Sequence, residues 1–137
     1  MERAFLVLGS LFGFLGVALG AFGSHALRSR LPPERLATFE TGVRYQLWHA
    51  LALFAVVLVD AWIPSAGGSS AFLVLERTSG WPVLAAGWLF IAGMVLFSGS
   101  LYALALTGRR AWGAVTPFGG VCLLLGWACL VIGAATA

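Results

Sequence analysis

The chain has 137 residues, of which 61% are hydrophobic and only 9% are charged. Soluble domains carry about 25% charged residues, so this composition excludes a soluble globular protein and indicates a single domain embedded in the lipid bilayer. The net charge of +3 comes from eight arginines and five acids. Because these arginines are scattered between apolar stretches, no nucleic-acid partner is expected.

The first predicted span covers residues 4–27, a run without Asp, Glu or Arg between Arg3 and Arg28. It is longer than the apolar part of a signal peptide, which is about 7–15 residues. A row of small residues lets another helix come close, so glycines in steps of four and three predict a packing seam for span 2. Chance positions for small residues are the alternative. The seam glycines are Gly9, Gly13, Gly16, Gly20 and Gly23.

The first loop, residues 28–44, predicts a short amphipathic helix. Pro33 and Glu34 are typical of a helix start, since proline fits the first turn and an acid suits its positive end. An apolar stripe at helical spacing then continues towards span 2, with a bend expected at Gly42. This segment is either a surface that binds lipid or a partner, or a solvated connector. The stripe consists of Leu36, Phe39, Val43 and Leu47.

The second predicted span covers residues 45–63 and carries three polar side chains on one face. Gln46, His49 and Asp60 recur there in steps of three and four with apolar residues between them. Polar groups are costly in hydrocarbon and are tolerated when they point into a helix bundle. This face therefore predicts the inner side of span 2.

The third predicted span covers residues 81–107, beginning at Trp81 and Pro82. Its seam repeats every seven residues, at Ala86, Gly93, Ser100 and Thr107. The fourth span is predicted over 117–135, because Thr116 followed by Pro117 is typical of a helix N-cap and first position. Its seam consists of Gly119, Cys122, Gly126, Cys129 and Gly133.

The two cysteines of this seam are not expected to form a disulfide with each other. Cys122 and Cys129 lie seven residues apart, about 10 Å along a helix, whereas a disulfide needs Cα atoms within about 7 Å. Their spacing is not that of a metal site either.

Together these elements predict an all-α membrane protein, a four-span up-and-down transmembrane helix bundle with a short amphipathic helix between spans 1 and 2. Loops 1 and 3 hold six arginines, against two on the opposite side. Since arginines accumulate on the cytoplasmic side, both termini are expected outside the cytoplasm.

Most polar residues of the spans would then gather at the cytoplasmic end as one polar cluster. Asp60 would lie at the other end, where pairing with Arg3 or Arg77 makes it a structural anchor; a proton-relay acid is the alternative. The predicted cluster comprises Ser24, His25, Tyr45, Gln46, His49, Ser100, Tyr102, Thr107 and Thr116.

The two histidines raise the question of a haem or metal site, since neutral imidazole is a common ligand. His25 lies about 180° around its helix from the glycine face, so the rings meet only if helix 1 unwinds near Gly23 or a second chain contributes one. A structural role for His49 is favoured, with a hydrogen bond to Tyr102, Ser100 or a loop carbonyl. No cofactor or metal is expected.

Four ordered motifs carry a family resemblance. They are the strings beginning at Gly20 (GAFGSHAL), Phe39 (FETGVRYQLWHALAL), Phe97 (FSGSLYALALTG) and Thr116 (TPFGG), followed by Gly126-Trp127. The chain resembles the YgdD/YwdK-like small inner-membrane family, also called domain of unknown function 423 and related to eukaryotic transmembrane protein 256. The resemblance implies a four-span membrane protein and no established activity. At Ser24 the family usually has alanine, a small-for-small change.

No nucleophile elbow, phosphate-binding loop or metalloprotease motif occurs in the sequence, so an enzyme is not expected. The leading hypothesis is a non-enzymatic structural or accessory membrane component, acting as a homo-oligomer or in a larger membrane complex. The alternative is an oligomeric transporter or channel for a small solute, because four spans of one chain rarely enclose a water-filled path.

Overall fold

The computed structural model describes residues 1–62 and 80–136, and these are almost entirely helical. Four helices in this part of the chain are long and apolar enough to cross a membrane, which confirms the predicted four-span all-α fold. The expected end of span 2 at Ile63, the second loop and Arg77 lie outside the described residues. The helices are α1 (Glu2–Phe22), α2 (Pro33–Trp62), α3 (Trp81–Thr107) and α4 (Ala111–Ala135).

Helices that follow one another in the chain are packing neighbours in the bundle. α1 packs on α2, α2 on α3 and α3 on α4, with little contact between α2 and α4. The ring of Phe5 reaches from α1 to α3, where it covers Gly87 and meets the edge of Trp88 at 5.6 Å between ring centroids. α2 and α3 are therefore the central pair, with α1 and α4 at their sides.

The α3–α4 interface places three glycines of α4 directly against three residues of α3. Both rows advance in steps of seven but in opposite directions, as expected for antiparallel helices. A Cβ atom added at Gly126 would lie 2.7 Å from the Phe90 ring, so the helices approach too closely for any larger residue. The pairs are Gly119 with Phe97, Gly126 with Phe90 and Gly133 with Val83.

The α1–α2 interface repeats this arrangement with the glycines on α1. Gly9, Gly16 and Gly23 lie against α2 residues that also recur about every seven positions in the opposite direction, Leu53, Leu47 and Phe39. Gly20 contacts Val43 in the same row. The prediction for Gly13 is wrong, since a Cβ atom there would meet nothing within 4 Å. Gly13 faces a hollow between α1 and α2, and the α2 side chains that line this hollow, such as Leu47 and Leu51, lie too far away to pack closely against it.

The predicted amphipathic helix is present as the first turns of α2. α2 is continuous over 30 residues, about 45 Å, so it extends well beyond a hydrocarbon core of about 30 Å. Helical structure passes through Gly42, where a bend was expected. Gly42 instead makes room for the Tyr102 ring, because a Cβ atom would lie 2.7 Å from that ring.

The start of span 4 is the clearest correction to the sequence-based boundaries. α4 begins at Ala111, and Pro117 lies inside the helix rather than at its first position. Thr116 is not an N-cap. Its hydroxyl instead bonds to Ser100 of α3 at 2.8 Å, a tertiary contact across the α3–α4 interface. α3 spans Trp81–Thr107, as predicted.

Replacing Gly119 by alanine tests the close approach of α4 to α3. The new Cβ atom would collide with the backbone of Phe97, which cannot rotate away, so we expect a loss of about 1–3 kcal/mol in unfolding free energy. The matched control is Gly99→Ala, where nothing lies within 4 Å and helix propensity predicts a gain of about 0.5–1 kcal/mol. Unfolding in detergent measures both, and equal stability of the two variants would contradict the interface.

Candidate functional site

Gln46 connects three helices through hydrogen bonds in the bundle interior. Its side chain is 4% exposed, and its Nε2 donates to the backbone carbonyl of Phe12 in α1 at 2.8 Å. Its Oε1 accepts from the Tyr102 hydroxyl of α3 at 2.9 Å. Gly16 makes this approach to α1 feasible, because the space of its missing Cβ lies 3.5 Å from the Gln46 Nε2. The amide therefore has a partner at both ends.

His49, one turn deeper along α2, has a hydrogen-bond partner at each ring nitrogen. Its Nδ1 lies 2.7 Å from the Tyr45 carbonyl, and its Nε2 lies 3.2 Å from the indole Nε1 of Trp127 on α4. An indole N–H can only donate, so Nε2 accepts and the proton resides on Nδ1. The prediction that His49 bonds to Tyr102 or Ser100 is therefore wrong. The geometry nevertheless supports a structural role for His49.

Two further contacts connect α3 to its neighbours. The hydroxyls of Ser100 and Thr116 lie 2.8 Å apart across the α3–α4 interface. At the end of α3, the Arg35 Nε of α2 donates to the Ala105 carbonyl at 2.6 Å, one of the carbonyls that a helix end leaves without an internal partner. The cation there also suits the negative end of the helix dipole.

Three of the predicted cluster residues lie outside this interior network. The hydroxyls of Ser24 and Thr107 bond to carbonyls of their own helices, and both residues are exposed. His25 is also exposed, in a π-helical turn, Gly23–Leu27, that continues α1. That turn is where unwinding was anticipated, but His49 lies at the depth of Gly13, about 18 Å along the axis from His25. The two histidines do not approach each other.

Sequence reasoning missed Trp127, Arg35 and Ser98. Trp127 is adjacent to the seam residue Gly126. The signal that could have indicated it was its indole N–H donor, placed on span 4 at about the same depth as His49 on span 2. Arg35 was counted as a loop cation. Ser98 is 1% exposed and belongs to no seven-residue repeat that the sequence made visible.

Asp60 lies at the far end of α2 and is 3% exposed, consistent with its predicted place on the inner face. Its pairing with Arg3 or Arg77 stays a prediction, since Arg77 lies outside the described residues.

The network holds the four helices together through hydrogen bonds between neighbouring helices. The hydrogen bonds of His49 end at an indole, which does not accept a proton, so no relay continues through Trp127. Within residues 1–62 and 80–136, no group of three or more His, Cys, Asp or Glu side chains is arranged to hold a metal ion. Cys122 and Cys129 are free thiols, each half-buried.

A family model described as "Protein of unknown function (DUF423)" matches residues 19–120, which is most of the chain. The matched range includes the whole hydrogen-bond network except for Phe12 and Trp127. The chain belongs to this family. The resemblance seen in its four sequence motifs is thus confirmed.

Relatives within the family match over nearly the full length. The UPF0382 membrane protein YwdK of Bacillus subtilis (strain 168) is 41% identical over 132 residues, which cover 96% of each chain. The UPF0382 membrane protein SSP2132 of Staphylococcus saprophyticus is 40% identical over 131 residues, again 96% of each. The UPF0382 inner membrane protein YgdD of Escherichia coli (strain K12) is 39% identical over 133 residues, 97% of this chain and 90% of YgdD. No solved structure matches the chain.

His49→Ala tests the structural role of the histidine. It leaves the indole N–H of Trp127, a residue that is 44% exposed at the bundle surface, without its acceptor. Hydrocarbon supplies no substitute acceptor, so we expect a loss of about 1–3 kcal/mol in unfolding free energy. The control is His25→Ala at an exposed position, where the change should stay within about 0.5 kcal/mol. Thermal unfolding in detergent, followed by tryptophan fluorescence, measures both. Equal losses in the two variants would contradict the assigned role.

Proposed function

We propose that this membrane protein is a non-enzymatic structural or accessory component of the inner (cytoplasmic) membrane. The observation that carries the proposal is the filled interior of the bundle. Large apolar side chains at most 2% exposed occupy it from one end to the other, so the described helices enclose no water-filled path. These side chains are Phe5, Phe39, Leu53, Val56, Val83, Phe90 and Met94.

The interior polar groups support the same function. A transporter needs polar groups that are free to exchange partners with a solute, and an enzyme needs a nucleophile or base facing a cleft. Here Gln46 bonds to two other helices and His49 bonds at both ring nitrogens. Side chains engaged in this way fix the positions of the helices relative to one another.

The outer surface supplies the means of association with lipid and with other membrane spans. Within the first span, Glu2–Leu27, only 17% of the most apolar 18-residue stretch is buried inside the bundle. Large apolar side chains such as Val7 on α1 and Leu124 on α4 are 65% and 72% exposed. Helices of a partner protein, or of further copies of this chain, would pack on such faces through van der Waals contact.

Reconstitution into liposomes tests this function against the transporter alternative. We expect efflux of small ions and neutral solutes to equal that of empty liposomes, because the interior is filled. In cells, photo-crosslinkers at Val7 and Leu124 should give adducts of fixed mass with protein, whereas one at buried Val56 should react only within the chain. Flux above the empty-liposome rate, abolished in Gln46→Leu or His49→Ala, would contradict the proposal.

We further propose that the end of the bundle carrying the first and third loops faces the cytoplasm. Support comes from the arginines there, since Arg28, Arg30, Arg44, Arg109 and Arg110 are exposed, as the positive-inside rule requires of orienting charges. Both termini then lie on the opposite side.

Cysteine labelling tests the orientation without removing an arginine. In a background with Cys122 and Cys129 replaced by alanine, single cysteines are placed at the exposed residues Ser29 and Thr136. An impermeant maleimide added to spheroplasts should label Thr136→Cys, and it should label Ser29→Cys only after the membrane is opened. The reverse pattern would place both termini in the cytoplasm.

A further inference from the structure

The outer surface of the α1–α2 pair carries a lengthwise groove. One hollow, of about 440 Å³, lies between Gly13 and Val17 of α1 and Leu47 and Leu51 of α2. A second, of about 350 Å³, lies nearer the arginine-rich end. Its lining includes Gly20 of α1 and Glu40 and Arg44 of α2.

Helical phase shows that the two hollows lie on the same side of the helix pair. Arg44 of the second hollow and Leu51 of the first are seven residues apart on α2, and residues at that spacing share a face. Gly20 and Gly13 have the same relation on α1. The hollows are therefore successive parts of one groove, which we call the α1–α2 groove.

Gly13 is the residue that opens this groove. Gly9, Gly16 and Gly20 hold α1 against α2, since an added Cβ atom would contact α2 side chains at each of them. At Gly13 an added Cβ atom would meet nothing within 4 Å. The helices are thus in close contact on both sides of Gly13, and at Gly13 itself a space remains that α2 does not fill.

The dimensions and charges of the groove identify its occupant. From Phe54 at its deep end to Arg44 the groove spans ten residues of α2, about 15 Å, which is half of a hydrocarbon core of about 30 Å and hence one leaflet. Apart from Ser10, the lining is apolar along this length, and it becomes charged only at Arg44 and then Glu40. Glu40 lies one turn, about 6 Å, further out than Arg44.

We propose that the α1–α2 groove binds one phospholipid with an ethanolamine headgroup, its acyl chain on Gly13, its phosphate at Arg44 and its ammonium at Glu40. Going outward from the hydrocarbon along α2, the cation comes before the anion. This order complements a headgroup whose phosphate lies next to the acyl chains and whose ammonium lies further out. A guanidinium donates to phosphate oxygens in charge-assisted hydrogen bonds. A primary ammonium donates likewise to a carboxylate, which a quaternary choline cannot do.

Native mass spectrometry of the full-length protein tests the site. The protein is incubated with equimolar phosphatidylethanolamine, phosphatidylcholine and phosphatidylglycerol of identical acyl chains. One charge-assisted hydrogen bond corresponds to about a tenfold change in affinity, so we expect about tenfold more bound ethanolamine lipid than choline lipid. Glycerophosphoethanolamine, which has the headgroup without acyl chains, should not displace it. A preference for phosphatidylglycerol would overturn the proposal in favour of general attraction to the arginines.

Four variants assign the contacts. Gly13→Leu should abolish retention of ethanolamine lipid. Gly99→Leu should not, because Gly99 lies on α3 and an added Cβ atom there also meets nothing within 4 Å. Arg44→Gln should weaken the binding of all three phospholipids. Glu40→Gln should remove only the preference for ethanolamine lipid over choline lipid. An unchanged unfolding temperature for Gly13→Leu establishes that the variant folds. Unchanged lipid retention in Gly13→Leu, or a dimer that this substitution converts to monomer, would overturn the proposal.

Discussion

A polar group in hydrocarbon has no water to bond with, and the side chain of Gln46 shows how this constraint shapes the bundle. Its amide needs both a donor and an acceptor, and it finds them on two different helices, at Tyr102 and at the Phe12 carbonyl. The contact with Phe12 forms only because α1 comes close enough for a side chain of α2 to reach its backbone. The glycine row of α1 provides that approach, with Gly16 directly beside the amide. Small residues and polar residues thus depend on each other.

The same division of roles recurs on the other side of the bundle. The glycines of α4 allow α3 to approach, and the Ser100–Thr116 hydrogen bond forms across that interface. His49 then connects α2 to α4 through the Trp127 indole, although these two helices share little other contact. Van der Waals packing at glycines brings the helices together, while hydrogen bonds select their rotation and depth. A bundle assembled in this way is closely packed inside and apolar outside.

Much of the fold follows from one-dimensional properties of the sequence. Hydropathy locates four spans, and spacing in sevens identifies the packing faces of α1, α3 and α4, since both quantities are properties of single helices. The start of α3 agrees with the prediction for the same reason, because Trp81 and Pro82 are local signals, and in the structure the helix ends at a left-handed Gly108. Thr116 and Pro117 form an equally clear local signal, yet α4 begins six residues earlier. There the local signal does not mark the helix start, and Thr116 bonds to another helix instead of capping its own.

The sequence by itself determined the class of protein, the number of spans, the arginine-rich end and the polar face of α2. Only the tertiary structure decided that Trp127 is the partner of His49, that His25 lies on the surface and that Gly13 faces a groove instead of α2. Each of these depends on the rotation and depth of one helix relative to another. Periodicity within a single helix carries no information about either quantity, because a helix can be turned or shifted without any change in its own pattern.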